Sequence, residues 1–105
     1  MMVSESIQLP EEIIADFCQK WRIREFALFG SVLRDDFGPS SDVDVLVSFE
    51  PTVIRTLLDM VAAEEELAAI LGRSVDLLDR SSVEHSENWI RRRRILSSAR
   101  TIYAR

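Results

Sequence analysis

The run Phe29-Gly30-Ser31-Val32-Leu33-Arg34-Asp35-Asp36-Phe37-Gly38-Pro39-Ser40-Ser41-Asp42-Val43-Asp44-Val45-Leu46-Val47 joins two apolar segments through a Gly-Ser step, a short polar connection and an Asp-x-Asp pair. Its second segment alternates. Asp42, Asp44 and Leu46 therefore point to one face of a strand, and Val43, Val45 and Val47 to the other. Two carboxylates on one strand face repel each other at neutral pH unless a cation or proton intervenes. A hard divalent ion such as Mg²⁺ resolves that repulsion, held by one or two carboxylates with substrate phosphates completing its shell. The Gly-Ser step supplies the other half of such a site. Gly30 allows close backbone approach, and the N–H groups after it, opening a short helix, can receive phosphate. A phosphate cradle beside an acidic pair is the equipment of phosphoryl or nucleotidyl transfer. The competing reading is a surface connection in which Ser40, Ser41 and Asp42 merely bond to nearby backbone. Asp44 argues against it, because aspartate is disfavoured within a strand.

Outward from this run, the chain reads as alternating helices and strands. Pro10 suits the first helical position and is followed by Glu11 and Glu12. Ile13, Ile14, Phe17, Cys18 and Trp21 then recur at helical spacing. Residues 23–29 form the first strand, residues 32–35 a short helix, and Gly38-Pro39 breaks the chain before a second strand at 43–49. Pro51 ends that strand, and Thr52 is the expected N-cap of a long helix reaching Leu71. Its apolar stripe is Leu57, Met60, Val61, Leu67, Ala68 and Leu71, and Gly72 is its stop signal. Glu64, Glu65 and Glu66 read as a solvated face. Residues 74–79 form a third strand, with Asp76 and Leu78 on one face and Val75 and Leu77 on the other. Residues 86–104 read as a closing helix with Arg92, Ile95, Leu96, Ala99, Ile102 and Tyr103 inward. Trp89 and Tyr103 are expected to pack, Arg91 to Arg94 to face solvent or a partner, and His85 to lie on the surface. Residues 1–9 are expected to be a loose lead to a single domain spanning 1–105.

Ser31 follows the first strand and Asp42 and Asp44 begin the second. Both groups can meet one phosphate only if these strands run antiparallel. The long helix then returns the chain for a parallel crossover to the third strand. The expected fold class is α/β (α+β), a small mixed sheet of about three strands flanked by helices.

Composition excludes several alternatives. With 105 residues and 47% hydrophobic content, the chain suits one ordinary core. No apolar run approaches the roughly 20 residues of a membrane span, and no secretory signal is visible at residues 1–8. Cys18 is the only cysteine and His85 the only histidine, so an internal disulfide and a Cys/His zinc cluster are both excluded. A cytoplasmic, reducing location is expected. Residues 1–90 carry seven basic and 18 acidic side chains, and residues 91–105 carry six arginines and no acid. An acidic body argues against direct binding of duplex nucleic acid.

Gly30-Ser31, ten intervening residues and Asp42-Val43-Asp44 resemble the signature of the minimal nucleotidyltransferase (MNT) domains of the DNA polymerase β-like superfamily. Arg34 stands where those proteins often carry arginine, and Asp35 replaces a common glycine. The resemblance implies a nucleotidyltransferase fold, with Asp76 as a third carboxylate on the strand after the long helix. It implies AMP transfer from ATP onto a hydroxyl. Asp42 and Asp44 would hold Mg²⁺, Asp76 would complete a second ion site and help deprotonate the acceptor, and Gly30, Ser31, Arg34 and Ser41 would bind nucleotide. Arg34 could instead pair with Asp35 or Asp36. Small members of this kind act as antitoxins to HEPN-type toxins, some by adenylylating a toxin tyrosine. That partner is the one expected here, and a homo-oligomer is compatible with it. A non-catalytic antitoxin that neutralises by binding alone is the alternative. Modification of a small molecule such as an aminoglycoside fits less well, since the chain has no substrate domain.

Overall fold

The computed structural model describes residues 2–4, 7–30, 42–52 and 56–105. The chain begins with two short strands, β1 (Met2–Ser4) and β2 (Ile7–Gln8), that pair antiparallel. Leu9, placed at the end of a loose lead by its sequence, is a core residue only 1% exposed. Helix α1 (Glu11–Trp21) follows, with Pro10 as N-cap rather than first helical residue and Arg22 closing it in the left-handed region at φ 56°. Then come strand β3 (Ile23–Phe29), strand β4 (Val43–Phe49), helix α2 (Leu57–Leu71) and strand β5 (Val75–Asp79). Helices α3 (Arg80–Glu84) and α4 (Trp89–Ser98) and strand β6 (Arg100–Ala104) complete the order. The short helix expected at residues 32–35 lies outside the described residues.

The main sheet has four strands in the order β5-β4-β3-β6. β3 and β4 run antiparallel and β4 and β5 parallel, as the placement of the acidic residues requires. Each strand alternates its side chains, so the sheet carries two apolar faces. One joins Phe26, Leu28, Val43, Val45, Val47, Val75 and Leu77 to Ile14, Phe17 and Cys18 of α1 and to Ala63 and Leu67 of α2. The other joins Ala27, Phe29 and Leu46 to Val83 of α3 and Ile95 of α4, with Leu78 packed alongside. Ile23 shares the first face with Phe26 and Leu28 because the register shifts between Ile23 and Glu25. Burial pushes the Cys18 thiol up to about 12, against a smaller lowering by Arg105. The thiol is a packing group.

Four expectations are corrected. Helix α2 starts at Leu57, not after Thr52. Thr56 Oγ1 accepts from the Asp59 N–H at 3.2 Å and Asp59 Oδ2 accepts from the Thr56 N–H at 3.0 Å, a reciprocal cap. Leu57 and Val61 of the expected stripe stay exposed, Leu57 at 80%, while Ala63 and Leu67 are the buried positions. The closing helix of residues 86–104 is instead α4 and then β6, which pairs antiparallel with β3 and brings the half-buried Ile102 and Tyr103 against the first core face. Trp89 is 58% exposed and does not pack as expected.

The glutamates of α2 are not merely solvated. The Val43 N–H donates to the Ser74 carbonyl at 2.9 Å, so the backbone polar groups of Ser74 and, by alternation, Asp76 point toward β4 and those of Leu77 toward the open sheet edge. Glu64 Oε2 accepts that outward Leu77 N–H at 2.8 Å and so covers part of the sheet edge. Glu66 pairs with Lys20 and accepts from Trp21 Nε1 at 2.9 Å, tying α2 to α1. The Lys20 hydrogen bond holds the Glu66 carboxyl below its ordinary 4.5; desolvation opposes it, and the weaker Trp21 hydrogen bond and the Lys20 charge reinforce it. A group lowered in the folded state stabilises above its unfolded pKa, and that contribution is lost as pH falls through the folded value. Glu66→Gln is therefore expected to lose stability at pH 7 but little at pH 3. Urea midpoints followed by Trp21 fluorescence at the two pH values test this; an equal loss at both would refute it.

Candidate active site

The site is built where β3 ends and β4 and β5 begin. Register places Phe29 opposite Asp44 across the antiparallel pair, and Asp44 beside Asp76 across the parallel pair. Neighbouring strands lie about 4.8 Å apart, so the two aspartates leave adjacent backbones. Both point to the face that carries Leu46 and Leu78, under α3 and α4. Asp44 is half-buried, whereas Asp76 and Asp42 are exposed.

Gly30 follows β3 in the left-handed region at φ +72°. A Cβ built there would lie 2.4 Å from Asp44 Oδ2 and 3.3 Å from its Cγ. The missing side chain is therefore what lets the Asp44 carboxylate lie against the turn. Glycine also adopts this backbone geometry without the strain other residues incur.

A cavity of about 860 Å³ opens at this point, within the size range of small-molecule sites. Phe29, Gly30, Asp44 and Asp76 line it from the sheet, and Asn88, Arg91, Arg94 and Ser98 line it from α4 and its N-cap. Of the residues expected at the site, the structure thus brings together Gly30, Asp44 and Asp76. Asp42 precedes β4 outside the cavity lining, and Ser31, Arg34 and Ser41 lie outside the described residues. Arg91 and Arg94 are the additions. Their three-residue spacing, which puts both on one helix face, was the available signal.

The donor chemistry suits a hard cation, since Asp42 and Asp44 offer carboxylate oxygens. Among the described residues no group of three His, Cys, Asp or Glu side chains could hold an ion unaided. Mg²⁺ does not require such a group when substrate phosphates supply the remaining ligands. No helix among the described residues is long and apolar enough to cross a membrane.

A family model described as nucleotidyltransferase domain matches residues 10–101. Protein adenylyltransferase MntA of Thermococcus cleftensis is 42% identical over 66 residues, covering 63% of this chain and 65% of that protein. The match thus spans less than two thirds of that relative's length. Among solved structures, a toxin-antitoxin with AMP-PNP superposes with a TM-score of 0.71 at 18% identity, over 92% of this chain and 75% of the matched chain. A complex of MNT antitoxin with tri-AMPylated HEPN toxin from Shewanella oneidensis gives a TM-score of 0.62 at 18% identity, over 90% and 70%. At these identities the two structures establish a shared fold.

Proposed function

The chain belongs to the nucleotidyltransferase domain family, and on that premise we propose that it transfers AMP from ATP to a hydroxyl of a partner protein, a tyrosine of a HEPN-type toxin, and so acts as an antitoxin. The observation that carries this reading is the register that seats Asp44 beside Asp76 and against Gly30 in one ligand-sized cavity. The name of the Thermococcus relative, the AMP-PNP complex and the AMPylated toxin support the choice of nucleotide and acceptor.

In this reading Asp42 and Asp44 hold a divalent cation, with Asp76 available to a second. Such ions, when bound, neutralise charge on the phosphate oxygens and on the departing group. The chain's own residues do the rest. Gly30 and Ser31 would seat the triphosphate, and Arg34 and Ser41 would contribute to nucleotide binding. Asp76 receives the proton of the acceptor hydroxyl. The acceptor oxygen forms a bond to the α-phosphorus as the bond from that phosphorus to the α,β-bridging oxygen breaks, and pyrophosphate leaves.

Incubating the chain with α-labelled ATP, Mg²⁺ and the product of the adjacent reading frame tests the proposal. Label on a tyrosine of that product is expected. A stable complex that gains no label would replace transfer with neutralisation by binding alone.

A further inference from the structure

The four consecutive arginines of α4 have different surroundings. Arg92 donates from its guanidinium to the Ser86 carbonyl at 2.8 Å, and Arg93 is exposed outside the cavity. Arg91 and Arg94 line the cavity, and among the described residues neither enters an ion pair. Ile95, buried in the second core face, fixes the rotation of the helix, so the face that holds Arg91, Arg94 and Ser98 is anchored toward the sheet ends.

Two like charges three residues apart weaken a helix, and among the described residues no ion pair offsets them. The chain as a whole is acidic, with 18 Asp and Glu against 13 Lys and Arg, and would repel a polyanion approaching the site. A cavity with carboxylates on its sheet side and guanidiniums on its helix side accommodates a ligand that meets both. Such a ligand would be anionic toward α4, and cations held by the carboxylates would complement it on the sheet side. We propose that Arg91 and Arg94 form a phosphate clamp that holds the polyphosphate of the nucleotide and then the pyrophosphate released. The clamp rests on the nucleotide-transfer reading for the identity of its ligand. Guanidinium suits the task because its planar fork donates two parallel hydrogen bonds to one phosphate.

The test is calorimetric titration of the full chain with inorganic tripolyphosphate in EDTA, where no cation can bridge the ligand to the carboxylates. The R91Q/R94Q double variant is expected to lose about tenfold in affinity for each guanidinium removed, while keeping its thermal midpoint. R91K/R94K is expected to recover part of the loss, since charge returns without the fork, and R93Q to bind like the parent. Undiminished binding by R91Q/R94Q overturns the clamp, as does an equal loss in R93Q or a parent chain that does not bind the probe. Arginine-dependent binding in a chain that transfers no AMP would reject the transfer reading and leave the clamp in place. Transfer with arginine-independent binding would reject the clamp alone.

Discussion

Asp44→Asn is expected to lower AMP transfer by about 10³-fold or more, with the thermal midpoint unchanged or slightly raised. The substitution keeps the shape of the side chain and removes one charge. Asp44 sits half-buried on β4, beside Asp76 of β5 and opposite Phe29 of β3, so its backbone position is fixed from both sides. The amide therefore occupies the place of the carboxylate without a packing defect. On the proposed mechanism the chief loss is the electrostatic hold on a cation, which would supply several kcal/mol of transition-state stabilisation in reactions of this class. Removing a like charge next to Asp76 relieves repulsion in the folded state, which is why stability should not fall. Turnover of labelled ATP, measured beside calorimetric melting, reads both quantities. Full turnover in a folded Asp44→Asn protein would remove the carboxylate from the mechanism.

The second large effect is expected from Gly30→Ala, with a loss of transfer of about 10²-fold and a stability cost of about 1–2 kcal/mol. The added methyl group would overlap Asp44 Oδ2 at 2.4 Å, and the cheaper response is for the carboxylate to swing away rather than for the strands to part. A displacement of roughly 1 Å at a reacting centre is enough for such a loss. Gly72 provides the control. It also has positive φ, at +68°, but an added Cβ there meets nothing within 4 Å. Gly72→Ala should therefore show a similar strain cost with transfer unchanged. Equal activity in the two variants would show that the Gly30–Asp44 contact has no part in positioning the acid.

The sheet interior was legible in the sequence because its signals are local. Alternation at Val43 to Val47 and at Val75 to Leu78 determines which side chains face the core, and the need for Asp44 and the Gly-Ser step to converge dictates the strand directions. The last segment misleads because Ile95, Leu96, Ala99, Ile102 and Tyr103 happen to recur at helical spacing. Thr101, Ile102 and Tyr103 are good strand formers, and pairing with β3 outweighs the helical pattern. The start of α2 was available from Thr56 and the acid three residues later, a capping signature that the earlier Thr52 obscures. The bonds of Glu64 to Leu77 and of Glu66 to Trp21 join elements distant in sequence, and no periodicity reveals them. The same holds for the packing of α4 over the strand ends, which turns two residues of an arginine run into part of the cavity.

Because β6 lies beside β3, the two sides of β3 are covered at very different moments of translation. β4 follows it closely in the chain and can zip up early, whereas Arg100–Ala104 reaches the ribosome exit long afterwards. Until then the nascent polypeptide presents a bare strand flank that invites foreign pairing. Joining ends so distant along the chain is also the slowest kind of closure. A ribosome stalled before residue 100 would hold a half-clad sheet in need of chaperone cover.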